Sequence, residues 1–144
     1  MSYWDTSALV KLSVAEVDSA QFQQLAAGAV RIVTAAIARL EARTVFRRRE
    51  AEKALADGEA PALSADMERD VANGRFVIQA TDADVECEFA QVLDQCFSQT
   101  PPVFVRTNDA LHIASAITAG ETEFVTADLR QRAAAQLMGM TVQP

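Results

Sequence analysis

Short apolar runs alternate along this chain with longer amphipathic segments, and that alternation predicts an order of elements. Met1–Trp4 reads as a short strand ending at Asp5, and Thr6–Val14, with Ala8, Leu9, Val10 and Leu12, as a helix opened by Thr or Ser. Val17–Ala27 reads as a second helix stopped by Gly28, and the β-branched run Val30–Val33 as a second strand. Thr34 then suits the N-cap of a long helix reaching Asp57, with Gly58 as its stop. Pro61–Asn73 is a further helix closed by Gly74, Phe76–Gln79 a third strand, and Asp82–Phe97 a helix with acids on its outer face, broken by Pro101 and Pro102. Arg106–Ala119 is helical and apolar nearly all round, which predicts burial. Glu123–Thr126 is a fourth strand, Leu129–Met138 a last helix ended by Gly139, and Met140–Val142 a fifth strand. Strands alternating with helices in this way predict a single α/β domain over residues 1–144 with a parallel sheet.

Composition narrows the function classes. A chain of 144 residues is one domain's worth, and 50% hydrophobic with 23% charged residues is globular rather than disordered. The net charge of −7 argues against a general basic coat for nucleic acid, but leaves room for a nuclease whose acids hold metal. The one histidine, His112, excludes a multi-histidine zinc site within the chain. Cys87 and Cys96 lie nine residues apart, on opposite faces of one helix, so reduced thiols in a cytosolic compartment are expected. Met1–Val10 lacks a signal peptide's basic start and apolar core, and no apolar run approaches the roughly 20 residues of a membrane span.

Four carboxylates stand in places where chemistry is expected. Asp5 follows the first strand and Asp128 the fourth, and each precedes a helix. Functional groups gather beyond the carboxyl ends of parallel strands, although an Asp there also caps its helix. Glu41 lies four residues after Ile37 and four before Val45, and so shares an apolar stripe with Ile37, Leu40 and Val45. A carboxylate aimed at a core is costly unless paired or metal-bound, and Arg106 is one candidate partner. Asp109 opens the most apolar helix, where an acid in the first turn is favourable in itself. His112, three residues on, reads as a satisfied core residue. Three Asp and one Glu from separate segments can make an all-oxygen site, which suits Mg²⁺ or Mn²⁺ and phosphodiester chemistry.

These residues carry a resemblance. Met1 to Leu12 resembles the opening of PIN-domain proteins, especially VapC-type toxins of bacterial toxin–antitoxin pairs. Arg106 to Ala116 is similar to their central acidic helix motif, Phe124 to Asp128 to their final motif, and Glu41 falls where the family keeps its Glu. Trp4 stands where an aliphatic residue is usual and Asn108 where the family is often apolar, and neither is expected to touch a proposed ligand. The resemblance implies a PIN-like three-layer α/β/α domain with a short, mainly parallel central sheet. It implies a metal-dependent endoribonuclease in which Asp5, Glu41, Asp109 and Asp128 hold one or two Mg²⁺ or Mn²⁺ ions and products carry 5′-phosphate and 3′-hydroxyl. Thr6, Ser7 and Thr126 then resemble hydroxyls that orient carboxylates or water, or else simply cap helices. It further implies a transfer- or ribosomal-RNA stem-loop as substrate, a cognate antitoxin, a homodimer, and a cytoplasmic setting.

Positive charge is local. Between Arg39 and Lys53 six bases face three acids, a net +3. Lys11, Arg43, Arg48, Arg106 and Arg130 are the candidate RNA contacts, Arg48 because it lies seven residues after Glu41; i,i+4 pairs such as Arg48 with Glu52 are the plainer reading. Asp82, Asp84, Glu86, Glu88 and Asp94 form a solvated face. The alternatives are a PIN-fold nuclease of RNA processing without an antitoxin, an Mg²⁺-binding phospho-acceptor domain, and an inert interaction module. The second is poorly served, since Lys11 and Lys53 are the only lysines and neither follows a late strand.

Overall fold

Strand side chains divide by parity between the two faces of a sheet, and here the division builds two cores. In the computed structural model, which describes residues 1–144, the order is β1 Ser2–Trp4, α1 Thr6–Ser13, α2 Ser19–Gly28, β2 Ile32–Ala35, α3 Ala36–Ala51, α4 Glu59–Ala72, β3 Phe76–Gln79, α5 Ala83–Phe97, α6 Thr107–Thr118, β4 Glu123–Val125, α7 Leu129–Leu137 and β5 Thr141–Gln143. Trp4, Ile32, Phe76 and Val125 meet Leu9, Phe22, Ala38, Ala42 and Phe46 from α1–α3 on one face. Tyr3, Val33 and Phe124 meet Val85, Val92, Ile113 and Ala134 from α5–α7 on the other. Helices therefore cover both faces, and the fold is a three-layer α/β/α domain.

All neighbouring strands are parallel, in the order β3-β2-β1-β4-β5. The chain winds outward from β1 to β3, then returns to the other side of β1 at β4. That reversal opens a crevice beyond the carboxyl ends of β1 and β4.

Three expectations change. Thr34 is not an N-cap: it ends inside β2, where its buried hydroxyl donates to the Trp4 carbonyl at 2.7 Å. The long helix stops at Ala51 rather than Asp57. Lys53 takes a left-handed φ of 62°, the Ala54 and Leu55 amides both turn back to the Arg49 carbonyl, and Leu55 is drawn into the core. Gly58, at φ 87°, consequently opens α4 instead of closing α3. Finally, the buried face of α3 is Ala38, Ala42 and Phe46, while Leu40 is exposed. The stripe that holds Glu41 faces a cleft, not the core.

Candidate active site

Asp5 is fixed by both strands that flank the crevice. It follows β1, its amide donates to the Val125 carbonyl at 3.1 Å, and its carboxylate is fully buried. Oδ1 accepts from the Ala8 amide at 2.9 Å, capping α1, and from the Ser7 hydroxyl at 2.8 Å. Oδ2 accepts from the Thr126 hydroxyl at 2.7 Å. Those hydroxyls are themselves oriented, because Ser7 Oγ accepts from the Ala127 amide and Thr126 Oγ1 from the Asp128 amide, each at 2.9 Å. Burial pushes the Asp5 carboxyl above its ordinary 3.8, against the pull of His112 and these donors.

Glu41 projects from α3 toward α1 and α6. Its Oε2 accepts from the Thr6 hydroxyl and from His112 Nε2 at 2.8 Å, and its Oε1 accepts from the Asn108 amide at 2.7 Å. Burial alone would raise its pKa, but the donors and the neighbouring imidazole outweigh it and hold the carboxyl at about 2. Asn108 thus touches a proposed ligand, contrary to expectation, and Arg106 is not the partner of Glu41.

Arg106 instead joins the other two acids. Its Nε donates to Asp109 Oδ2 at 3.0 Å, and its Nη2 lies 3.2 Å from both Asp109 Oδ1 and Asp128 Oδ2. Asp109, in the first turn of α6, is 2% exposed, and its Oδ2 also accepts from the Arg106 amide at 3.0 Å. Asp128 caps α7 by accepting from the Arg130 amide at 2.8 Å. Every candidate carboxylate therefore has a structural duty.

Glu41, Asp109 and Asp128 line one cleft of about 1000 Å³, with Thr6, Ser7 and Arg106. Asp5 lies beneath Ser7. The candidate RNA contacts separate. Arg48 lines the cleft wall and forms no ion pair; the expected Glu52 pairing belongs to Arg49, at 3.7 Å. Arg106 is 60% exposed at the acid pair. Lys11 borders the cleft but is buried and neutralised by Glu16, at 2.7 Å, and Asp18. Arg130 stands exposed, 3.7 Å from Asp128. Arg43 does not reach the cleft: with Arg39 it turns to Glu68 on α4.

Tyr3, Asn108 and Gln131 escape the sequence reading, and His112 proves more than a core residue, since it reaches Glu41. Their partners lie up to 109 residues away in sequence, so the only early signal was His112 sharing a face with Asp109.

The donor set is all oxygen, which suits a hard cation. No three His, Cys, Asp or Glu side chains gather into a ready-formed cluster, and the Arg106 guanidinium supplies positive charge between Asp109 and Asp128. Beside them Gln131 Oε1 is buried without a partner, an acceptor of the kind that the water around a hydrated cation satisfies. The orphaned acceptor fits a hydrated divalent cation, and the guanidinium holds the place such a cation would take between the two acids. Among other features, Cys87 and Cys96 are free thiols, and no helix is long and apolar enough to cross a membrane.

A family model described as PIN domain matches residues 2–137. Among solved structures the chain is similar to the toxin VapC20 of Mycobacterium tuberculosis, with 17% identity, TM-score 0.70, and 93% of this chain and 95% of that one covered. It is similar to the FitAcB structure from Neisseria gonorrhoeae, with 16% identity, TM-score 0.69, and coverage of 100% and 97%. It is also similar to VapBC2 of Rickettsia felis, with 16% identity, TM-score 0.66, and coverage of 99% and 98%. At such identities the likeness is one of fold. No curated protein sequence matches the chain.

Proposed function

This chain belongs to the PIN domain family, and from that premise we propose that it is a divalent-metal-dependent endoribonuclease, the toxin of a toxin–antitoxin pair. One observation carries the reading: Glu41, Asp109 and Asp128, carried by three separate segments, line one cleft at the crevice where the parallel sheet reverses its winding, and Asp5 is buried beside it. Support for the biological role comes from the similar folds, where VapC20 is described as cleaving the sarcin-ricin loop and VapBC2 as bound to its promoter DNA.

Asp5, Glu41, Asp109 and Asp128 would hold one or two Mg²⁺ or Mn²⁺ ions. Such a cation, when bound, acidifies water and offsets charge at a phosphodiester, and hydrolysis in this way leaves 5′-phosphate and 3′-hydroxyl ends. The chain's own groups do the positioning. Ser7 and Thr126 hold Asp5, and Thr6 and Asn108 hold Glu41. Arg48, on the cleft wall and without an ion pair, is the cation free to meet phosphate, and Arg106 stands exposed at the acid pair. With a net charge of −7 the surface as a whole repels RNA, so recognition rests on these local contacts and on the shape of an exposed stem-loop in transfer or ribosomal RNA. The Asp109–Asp128 pair already accepts one guanidinium, which makes it a suitable seat for a basic side chain of an antitoxin. A homodimer working in the cytoplasm completes the reading.

The test is direct. Purified protein cuts RNA with Mg²⁺ or Mn²⁺ and stops in EDTA, and sequencing of the ends after brief expression names the substrate. Asp109→Asn abolishes cutting while the fold persists. Full activity in that variant, or cutting that ignores EDTA, would falsify the assignment. Growth arrest on expression without a partner, relieved by a small neighbouring reading frame, separates the toxin from a nuclease of RNA processing.

A further inference from the structure

His112 is 1% exposed, lies one turn of α6 from Asp109, and bonds at both ring nitrogens. On the far side is Tyr3, the only tyrosine, fully buried in β1. The Tyr3 hydroxyl accepts from the Ala35 amide at 3.0 Å and lies 2.7 Å from His112 Nδ1. A phenol has one proton to give, and the 2.7 Å contact gives it to Nδ1 rather than to the buried Ser115 hydroxyl, which has no hydrogen-bond partner. Nδ1 is then bare, and a ring proton sits on Nε2. That nitrogen is 2.8 Å from Glu41 Oε2 and 3.1 Å from Thr6 Oγ1. The Thr6 proton is committed to Glu41, so the hydroxyl can only accept from Nε2.

We infer that His112, its ring held in the Nε2–H tautomer between Tyr3 and Glu41, is a positioning residue that aims the Glu41 carboxylate into the cleft; the inference rests on the metal reading of that site. A Glu side chain has three rotatable bonds and does not by itself present its oxygens in one direction. Three donors from two other helices select one orientation here: Thr6 from α1, and Asn108 and His112 from α6. Of these, only His112 is itself anchored through the sheet. The chain Ala35 N–H, Tyr3 O–H, His112 Nε2–H, Glu41 runs from β2 through β1 and α6 to α3. Each donor–acceptor role along it fits the one before.

The experiment reads the tautomer first. Because His112 is the only histidine, nitrogen-15 NMR of labelled, metal-free protein resolves its ring without assignment. The expected spectrum shows a protonated Nε2 and an unprotonated, hydrogen-bonded Nδ1. In Tyr3→Phe the Nδ1 resonance moves to that of a ring nitrogen without a hydrogen bond, while the proton stays on Nε2 toward Glu41. The second readout is binding of Mn²⁺ alone, by calorimetry. In His112→Leu, with its circular dichroism unchanged, affinity falls by about 10- to 100-fold, the usual effect of losing a group that orients a metal ligand. His112→Gln, which keeps an N–H donor, recovers part of it. A proton on Nδ1 overturns the proposal whatever the metal does, and needs no variant to fold. Equal Mn²⁺ affinity in folded His112→Leu also overturns it. Failure of the unaltered protein to bind Mn²⁺ instead overturns the metal reading of the cleft, while the tautomer result still decides how the ring is held.

Discussion

Glu41→Gln asks whether the acid cluster is a cost to the folded chain or part of what holds it together. If repulsion among Asp5, Glu41, Asp109 and Asp128 dominated, removing one charge would stabilise the protein. The hydrogen bonds argue the opposite. Glu41 has an ordinary pKa of 4.5 and is held at about 2 in the folded protein. That difference, at about 1.36 kcal/mol per pH unit, makes its ionised form worth about 3 kcal/mol to folding. Asn108 can turn its amide to accept from the new one, restoring one bond, so a loss of about 2 kcal/mol is expected at pH 7. For a chain of this size that is a fall in melting temperature of roughly 6 °C. The sign with pH follows from the depressed pKa. The stabilisation is fully present above 4.5 and is lost as pH falls toward 2, so the gap between Glu41→Gln and the unaltered chain closes over that range. Urea unfolding in EDTA at pH 7, 5 and 3.5 measures it. A Glu41→Gln protein equally or more stable at pH 7 would refute the reasoning.

Three further outcomes are expected. The sole tyrosine is held well above its ordinary 10, first by burial and then by the charge of Asp5; the folded chain keeps a proton that the unfolded chain releases, so stability falls as pH climbs past 10. Ultraviolet titration should therefore show tyrosinate only as the chain unfolds, and reversible ionisation near pH 10 contradicts the burial of Tyr3. Phe46, 2% exposed at the base of α3, should cost about 3–5 kcal/mol on change to Ala; a denaturant midpoint that barely moves would mean α3 is not anchored there. Glu16 lies 2.7 Å from Lys11 and 2.6 Å from Arg49 on the cleft wall, so Glu16→Gln, placed in an Asp109→Asn protein to prevent cutting, should bind a short RNA more tightly. It should also steepen the salt dependence by about one counterion, and an unchanged affinity and slope would count against RNA passing that wall.

What the sequence made legible follows from which interactions are local. Asp5, Asp109 and Asp128 announce themselves because a strand-to-helix or loop-to-helix boundary is a property of adjacent residues. Glu41 was found through its stripe, but the stripe was assigned to the wrong surroundings: two alanines and Phe46 carry the core-facing side of α3, and alanine is a weak hydrophobic signal. Arg43 sat on a basic helix with nothing to reveal that Glu68, 25 residues on, would claim it. Thr34 looked like a cap because a hydroxyl before a helix usually is one; its bond to Trp4 crosses 30 residues. The Tyr3–His112 pair, across 109 residues, lay beyond any periodicity.

The first strand lies at the centre of the sheet, and Asp5 is seated by a hydroxyl that comes 121 residues later. A ribosome therefore makes Asp5 and Glu41 long before it makes Thr126 and Asp128. At about 5–20 residues per second, roughly 6–25 s separate the first carboxylate from the last. Until β4 emerges to pair with β1, the nascent chain has neither its crevice nor the hydroxyls that orient its acids. For the ribonuclease proposed above, this topology acts as a delay: the acids stay unseated until β4 has been made.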